Sequence, residues 1–398
     1  MEYLKYNEYK SNLLSQTRNS VKTLNLLNNS VTFDYLRAAV PEKSIKKARY
    51  FIITGNGDSY CSALASRPVF ENTDRSSTTG MVPGVATETP RAIEFSRYYN
   101  TYRGWDPTRV AQYMLLAISV GGSTSRLVES ILRMNAIGGQ TVAFTQNINS
   151  ALGKAGDYVV DINTPECDQP APCVTSYQAS LFAADMFGLY VGMVKGFLKE
   201  EEANERRNAA LEYVNSFGGR VIDEIEEKTF ELSCDWLDKG IEIMDFIADG
   251  PDYATAFFGS AKMVESFGGL TTIDDTEDWN HINFFNRQPE KSGTFIIANT
   301  SSPAFGKSLE TIDTITALGR PLVIITDTNE DIFPKSATVF SLPKPKYSWA
   351  NALMQHIPMD YVAAYMGIFK GETPYRANSE VFNDMGRRIR ASELEIIV

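Results

Sequence analysis

The chain has 398 residues, a length that at roughly 150 residues per domain predicts two or three domains with buried cores. Its 38 Lys+Arg against 49 Asp+Glu give a net charge of −11, which disfavours nucleic acid and anionic membranes as partners. No run of about 20 apolar residues could span a membrane, and no signal peptide is visible. Four cysteines are too few for a disulfide framework, so we expect a cytoplasmic protein.

Cysteine and histidine usage also restricts the chemistry. Cys167 and Cys173 share a loop without a nearby histidine, and their spacing does not suit a structural zinc site. We therefore expect no metal and no other cofactor. Only His281 and His356 are present, so catalysis by histidine must use one of them.

Short apolar runs alternate with longer helical stretches along the chain. Such runs are typical of parallel strands that are covered on both faces. They are residues 50–54, 114–118, 141–145 and 158–162 in the first half, and 243–248, 294–298, 322–326 and 338–342 in the second. Helices are predicted at 123–136, 253–267 and 304–318. Because the set occurs twice, the pattern predicts an α/β fold with two similar domains.

The remaining stretches are predicted to be helical. Residues 1–45 have a helical pattern, and so does the charge-rich stretch from 174 to 237. The predicted organisation is an N-terminal helical arm (1–34), a first domain (35–200), a helical connector (201–237), a second domain (238–372) and a C-terminal tail (373–398).

Two loops of the first half have the residues of an anion site. One, 55–60, contains Gly57 and Ser59, and the other is Ser119-Val120-Gly121-Gly122-Ser123-Thr124. Glycines let backbone N–H groups approach a ligand, hydroxyls flank them, and the following helix N-terminus adds partial positive charge. The alternative is a pair of plain strand-to-helix turns, in which Gly and Ser only cap helices.

These loops resemble the phosphate motifs of the sugar isomerase (SIS) domain family. Gly57-Asp58-Ser59-Tyr60 matches Gly-x-Ser-Tyr, and residues 119–124 match Ser-x-Ser-Gly-x-Thr except that Gly121 replaces the middle serine. By this resemblance the phosphate would be bound by the hydroxyls of Ser59, Ser119 and Thr124 and by backbone N–H groups of Gly121, Gly122 and Ser123. Arg126 could offset the missing hydroxyl by a charge-assisted bond, or it is a solvated helix residue.

The second half resembles the family at its catalytic motif. Residues 253–265 resemble Tyr-x-x-Ala-x-Glu-Gly-Ala-Leu-Lys-x-x-Glu, and residues 277–281 resemble the Glu-x-x-His block that follows it. The resemblance implies that Glu265 is the proton-transferring base and His281 its acid–base partner, with Lys262 as a further candidate. The alternative is a helix carboxylate and a capping histidine. We expect His356 to be packed within the last helical region.

The resemblance implies two tandem SIS domains, each a doubly wound parallel sheet in three αβα layers of the flavodoxin-like type. It implies a small-molecule sugar phosphate as substrate, most simply a ketosamine 6-phosphate of the fructosamine-6-phosphate type. The enzyme would be a phosphosugar isomerase, deglycase or deaminase that works through an enediol or enolamine. A homodimer or higher oligomer is also implied, since the family histidine often reaches across a dimer interface.

Departures from the family narrow this expectation. No glutaminase domain precedes the motifs, and residues 374–380 have glutamate where the family synthase has an imine-forming lysine, so we expect no glutamine-dependent synthesis. The glycine-free loop 299–303 resembles a phosphate loop that has lost its role, which predicts one phosphate site per chain. Two alternatives stay open: a non-catalytic sugar-phosphate-binding regulator, and an aldose–ketose isomerase of an unaminated sugar phosphate. Retention of both Glu265 and His281 favours an enzyme.

Overall fold

The computed structural model describes residues 3–72, 84–99, 110–383 and 394–397. The chain divides into two compact units, each containing one parallel sheet. Of the described residues, those within 22–166, 175–211 and 386–398 form the first-sheet unit, and those within 1–21, 167–174 and 212–385 form the second-sheet unit.

The described part of the N-terminal region is helical, as predicted. Its helices are α1 (Asn12–Arg18), α2 (Ser20–Ser30), α3 (Phe33–Ala39) and α4 (Glu42–Lys47). Ser11 and Thr32 precede α1 and α3, and each side chain accepts a hydrogen bond from a backbone N–H of the first turn. These two helices therefore begin at ordinary N-caps.

The first sheet has the strand order β2-β1-β3-β4-β5, with every neighbouring pair parallel. Its strands are β1 (Tyr50–Thr54), β2 (Ala86–Glu88), β3 (Tyr113–Ile118), β4 (Gln140–Thr145) and β5 (Tyr158–Asp161). The helices that follow in this part of the chain are α5 (Asp58–Glu71), α6 (Ser125–Ala136), α7 (Ala151–Ala155), α8 (Val174–Lys195), α9 (Glu200–Ser216) and α10 (Arg220–Lys239).

The second sheet has the order β10-β9-β8-β6-β7, again parallel throughout. Its strands are β6 (Ile243–Ile247), β7 (Leu270–Asp274), β8 (Ser292–Ile297), β9 (Leu322–Thr326) and β10 (Thr338–Ser341). The remaining helices are α11 (Tyr253–Phe267), α12 (Thr276–His281), α13 (Phe305–Ala317), α14 (Ile357–Phe369) and α15 (Glu380–Asn383). None of the helices in the described ranges is long and apolar enough to cross a membrane.

The two sheets have one topology. When the second sheet is listed from β7, its order is β7-β6-β8-β9-β10, which matches β2-β1-β3-β4-β5 strand for strand. In each sheet the second strand of the chain lies at one edge, followed by the first, third, fourth and fifth. This is the flavodoxin-like, doubly wound order, and the predicted α/β fold with two similar parallel sheets is confirmed.

Burial explains which strands could be predicted. The side chains of 114–118 are fully buried, and the predicted face of α6 packs on this sheet through Leu127, Ile131 and Met134. By contrast, the edge strands β2 and β7 were not predicted, because both are short and partly exposed and neither is a continuous apolar run.

The helices α11 and α12 lie on opposite faces of the second sheet. The chain crosses from β6 to β7 through α11 and then returns past β6 to β8 through α12, and right-handed crossovers in opposite directions use opposite faces. Trp279 of α12 packs with Ile312 of α13 and Ile296 on one face. On the other face α11 packs against α14, with Gly259 against Met359.

A buried ion pair fastens α12 to its face of the sheet. The Arg320 guanidinium, before β9, pairs with Asp245 in β6, and both side chains are almost completely buried. Trp279 Nε1 donates to the same carboxylate at 3.1 Å, and the Thr272 hydroxyl donates to its other oxygen at 2.8 Å. Arg320 also donates to the Asn283 carbonyl at 2.5 Å. The segment that contains His281 is thus fixed before the histidine by Trp279 and after it by Asn283.

We predict that Arg320→Met lowers the free energy of unfolding by about 3–5 kcal/mol, because it leaves the buried Asp245 carboxylate without its ion-pair partner. Urea denaturation followed by tryptophan fluorescence measures this, since Trp236 and Trp279 both lie in the second-sheet unit. The matched control is Lys239→Met, which removes a half-exposed ion pair and should cost no more than about 1 kcal/mol. Equal losses in the two variants would contradict the assigned importance of the buried pair.

Candidate functional site

The fold brings the two predicted anion loops together at one edge of the first sheet. β1 and β3 are parallel neighbours with Thr54 opposite Ala117, so loops 55–57 and 119–124 leave adjacent strands at their carboxyl ends. The strand order reverses between β1 and β3, since β2 lies to one side of β1 and the later strands lie to the other. Ligands of doubly wound sheets bind at this reversal.

The 119–124 loop is fixed by its own backbone. Gly122 has φ +66°, a left-handed conformation that favours glycine, and a Cβ added there would lie 2.0 Å from Ser150 Oγ. The Gly122 N–H donates to Ser119 Oγ at 3.2 Å, and its carbonyl accepts from the Leu152 N–H at 2.9 Å. By contrast, Gly121 is exposed, and an added Cβ would meet no atom within 4 Å.

The hydroxyls of this loop do not cap their helix. Thr124 is the N-cap residue of α6, yet its side chain accepts no hydrogen bond from the first turn, and its Oγ1 lies 3.4 Å from Ser119 Oγ. Gly57, at the start of α5, has no side chain to cap with, and the nearby Ser59 is buried. The first turn of α6 therefore keeps N–H groups that no capping side chain occupies. This arrangement favours the anion site over plain capping turns.

Arg126 has a partner of its own. Its guanidinium lies 2.8 Å from the carboxylate of Glu129, which is buried and also pairs with Arg97 at 3.0 Å. Arg126 is therefore an ion-paired residue on the first turn of α6 rather than a freely solvated one. Its part in binding an anion stays a prediction.

A polar cavity lies at the same edge beside the loop. It has a volume of about 530 Å³ and is lined by Gln146, Asn147 and Ile148 after β4, by Asp161 at the end of β5, and by Asn163 and Thr164 after it. The Gln146 N–H donates to the Val120 carbonyl at 3.1 Å, which ties the cavity wall to the 119–124 loop. These residues were not predicted from the sequence, because polar side chains are common in the loops that follow strands. Their repeated position directly after β4 and β5 was the available signal.

Glu265 is held by a buried lysine. Its carboxylate lies 2.6 Å from Lys262 Nζ, and the exposed fractions of the two side chains are 30% and 0%. Lys262 Nζ also lies 4.6 Å from the centre of the Phe258 ring. Glu265 is two residues from the end of α11, and the turn Pro374–Arg376 packs against this helix. The carboxylate is thus fixed in place while part of it reaches solvent.

His281 does not lie beside Glu265 within one chain. It is the last residue of α12 and is exposed, and the second sheet separates α12 from α11. The neighbouring Ile282 and Phe285 are also exposed, at 62% and 74%. The resemblance predicts that the two residues act together, and within one chain the crossovers place them on opposite faces of the second sheet. Their joint role stays a prediction.

His356 is packed as predicted. Its ring is buried, with Nδ1 2.6 Å from the Asp360 carboxylate and Nε2 3.1 Å from the Leu353 carbonyl. Phe258 packs edge-on against it. These contacts describe a core histidine.

The corresponding edge of the second sheet carries carboxylates. Asn299 donates to buried Asp252 at 2.9 Å, and Gln355 donates to the other oxygen of the same carboxylate at 2.9 Å. Burial raises the pKa of Asp252 to about 6. The Thr300 N–H and hydroxyl are both bound to Asp327, at 2.7 and 2.8 Å. The side-chain donors of Asn299 and Thr300 at this edge are therefore bound to acidic side chains, and Lys344 pairs with Asp327 at 3.5 Å.

Comparison with known proteins agrees with this architecture. The model of the SIS domain family matches residues 111–190, which include the 119–124 loop. A glutamine–fructose-6-phosphate aminotransferase (isomerizing) from Clostridium tetani is 23% identical over 350 residues, covering 83% of this chain and 51% of that protein. The chain thus spans about half the length of the curated relatives it matches.

Solved structures share the whole fold. A protein from Clostridium difficile 630, named as a candidate phosphosugar isomerase, has a TM-score of 0.77 at 16% identity, covering 99% of this chain and 100% of that one. The C-terminal domain of glucosamine-fructose-6-phosphate aminotransferase from Francisella tularensis has a TM-score of 0.70 at 15% identity, covering 92% and 98%. The predicted resemblance is confirmed: residues 111–190 match the SIS domain family, and the chain shares its fold with these solved structures.

Proposed function

We propose that the protein is a phosphosugar enzyme that acts on a ketosamine 6-phosphate of the fructosamine-6-phosphate type, by isomerisation, deglycation or deamination. One observation carries the proposal: two glycine-hydroxyl loops meet where the strand order reverses, beside a helix whose first turn no side chain caps. Phosphosugars are also named among similar solved structures.

The phosphate is the binding handle in this proposal. Backbone N–H groups of Gly121, Gly122 and Ser123 would donate to its oxygens, together with the hydroxyls of Ser59, Ser119 and Thr124. Backbone donors at the end of a strand suit this role. The Gly122 N–H would exchange its 3.2 Å hydrogen bond to Ser119 Oγ for a bond to the anion. Binding energy from the phosphate would position the reacting carbons. The carboxylates at the second sheet support a single phosphate site per chain.

Glu265 is proposed as the base that moves a proton between C1 and C2. Removing a proton from C1 of the ketosamine and returning it at C2 passes through an enolamine, or through an enediol for an unaminated sugar. A carboxylate held by Lys262 at 2.6 Å and open to solvent on one side can accept and return that proton.

His281 is proposed to act on the substrate of a second copy of the chain. Histidine suits ring opening or leaving-group protonation, because it titrates near neutral pH. Within one chain the second sheet separates it from Glu265, whereas its exposed position beside Ile282 and Phe285 leaves it open to a partner. A homodimer is therefore part of the proposal, and the cytoplasm stays the predicted location.

Two other functions compete with this one. A regulator that only binds sugar phosphates would need the loops but not the Glu265–Lys262 pair, so that pair favours an enzyme. An aldose–ketose isomerase of an unaminated sugar phosphate would use the same residues, and turnover of a panel of ketose and ketosamine 6-phosphates separates the two. An imine between the sugar and a lysine of the chain is disfavoured, because the stretch 374–380 contains no lysine.

For the phosphate loop, we predict that Gly121→Ser strengthens binding of a sugar 6-phosphate by about threefold to tenfold, since one added hydroxyl contributes roughly 1 kcal/mol. The position is open, so the fold should tolerate it.

Ser59→Ala combined with Thr124→Val should weaken binding at least about tenfold, since it removes two hydrogen bonds to a charged group. Titration calorimetry with fructosamine 6-phosphate measures both changes.

Gly121→Ala is the matched control, because it adds bulk without a hydroxyl and should not strengthen binding. The unphosphorylated sugar should be insensitive to all three variants. Equal effects on the phosphorylated and unphosphorylated sugars would refute the phosphate assignment.

For proton transfer, we predict that Glu265→Gln and His281→Asn each lower kcat by about 10²–10⁴-fold while substrate binding survives. Co-expression of the two variants should restore activity in the mixed dimer, because one of its sites then contains an intact Glu265 and an intact partner histidine. Purification through two different affinity tags isolates this species. Solvent deuterium should enter C1 or C2 with the native chain and not with Glu265→Gln.

An inactive mixed dimer would show that His281 does not act across subunits. Near-native turnover of Glu265→Gln would contradict the catalytic assignment and favour the regulator. His356→Asn is the control for general loss of histidine: it should lower stability without changing the deuterium exchange per folded molecule.

A further inference from the structure

Cys167 and Cys173 face the same side-chain amide in the loop between β5 and α8. The Gln169 amide nitrogen lies 2.8 Å from Cys173 Sγ and 3.5 Å from Cys167 Sγ. Both cysteines are partly exposed and carry free thiols. The loop therefore brings two accessible thiols to either side of one amide group.

The loop is fastened at several points, so this arrangement does not depend on Gln169 alone. Ser15 Oγ donates to the Asp168 carboxylate at 2.5 Å, and the Gln16 side chain donates to the Asp168 carbonyl at 2.7 Å. The Tyr375 hydroxyl donates to the Ala171 carbonyl at 3.0 Å. These contacts hold the backbone between the two cysteines.

The other two cysteines lie in different surroundings. Cys61 is buried within α5. Cys234 lies on α10, where burial raises the pKa of its thiol to about 11 and so disfavours the reactive thiolate at neutral pH.

We propose that Cys167 and Cys173 are a redox-sensitive thiol pair that closes to a disulfide within this loop. The oxidant is a small-molecule disulfide such as glutathione disulfide. One cysteine thiolate attacks its S–S bond and releases one glutathione thiolate; the second cysteine thiolate then attacks the mixed disulfide and releases the other. Two electrons pass to the oxidant, and the two thiol protons end on the released glutathione.

The site goes beyond the proposed sugar-phosphate activity and does not rest on it. A reversible bridge between partly exposed thiols suits a reducing compartment, where disulfides are usually transient and redox-sensing. The same loop begins with Asn163 and Thr164, which line the cavity at the edge of the first sheet. Oxidation would thus modify the chain segment that leads away from the candidate ligand site.

The test uses the full chain incubated with glutathione disulfide, followed by alkylation of the remaining thiols under denaturing conditions. A protease that cleaves before aspartate separates Cys167 from Cys173 at Asp168, so an intact bridge holds the two peptides together. Mass spectrometry without reductant should find the joined peptides, and reduction should separate them. Two of the four cysteines should escape alkylation.

Cys167→Ser should abolish the joined species, whereas Cys61→Ser and Cys234→Ser should leave it unchanged. The folded chain should also close the bridge faster than the same chain in urea, because the native contacts hold the loop. The proposal is overturned if both cysteines are fully alkylated, if each retains glutathione, if either pairs with Cys61 or Cys234, or if the folded and unfolded chains react equally fast.

Discussion

The reversal of strand order between β1 and β3 is the constraint on which the rest of the candidate site depends. The crossovers on the two sides of β1 place α5 and α6 on opposite faces of the sheet. The loops that precede these helices therefore diverge at the carboxyl ends of β1 and β3 and leave a crevice between them. Gly122 can follow the tight turn there only because it adopts a positive φ. Since the Thr124 side chain does not cap α6, the N–H groups of that helix start remain available to an anion. In the proposed function, backbone geometry more than side-chain charge makes this place suitable for a phosphate.

The second sheet shows that topology alone does not make such a site. It has the same strand order, yet its edge is occupied by Asp252 and Asp327, which accept the hydrogen bonds of Asn299, Gln355 and Thr300. A phosphate placed there would meet these two carboxylates, one of which pairs with Lys344 at 3.5 Å. The equivalent edges of the two sheets thus differ in the side chains that surround their loops. The second-sheet unit contains the Glu265–Lys262 ion pair and the exposed His281.

Which parts of the fold and of the candidate site could be predicted depends on how many residues each sequence pattern involves and how close together they lie. Fully buried strands such as β3 and β9 are continuous apolar runs and were predicted to within a residue or two, whereas edge strands β2 and β7 lack that signal. The 119–124 loop could be found in the sequence because its glycines and hydroxyls directly follow a strand, a pattern that involves only neighbouring residues. The relation of Glu265 to His281 could not be predicted in the same way. Their separation along the chain is fixed, but the face of the sheet that each occupies follows from the crossover directions, which depend on β7, a strand with no clear sequence pattern.

The central claim is that a phosphate binds on backbone N–H groups at the reversal point of the first sheet. A crystal structure of the chain with a ketosamine 6-phosphate bound tests it most directly. The account predicts phosphate oxygens within hydrogen-bond distance of the N–H groups of Gly121, Gly122 and Ser123, with the Thr124 hydroxyl alongside. A phosphate bound instead at the second-sheet edge near Asn299, or one that leaves the 119–124 loop without contact, would contradict it.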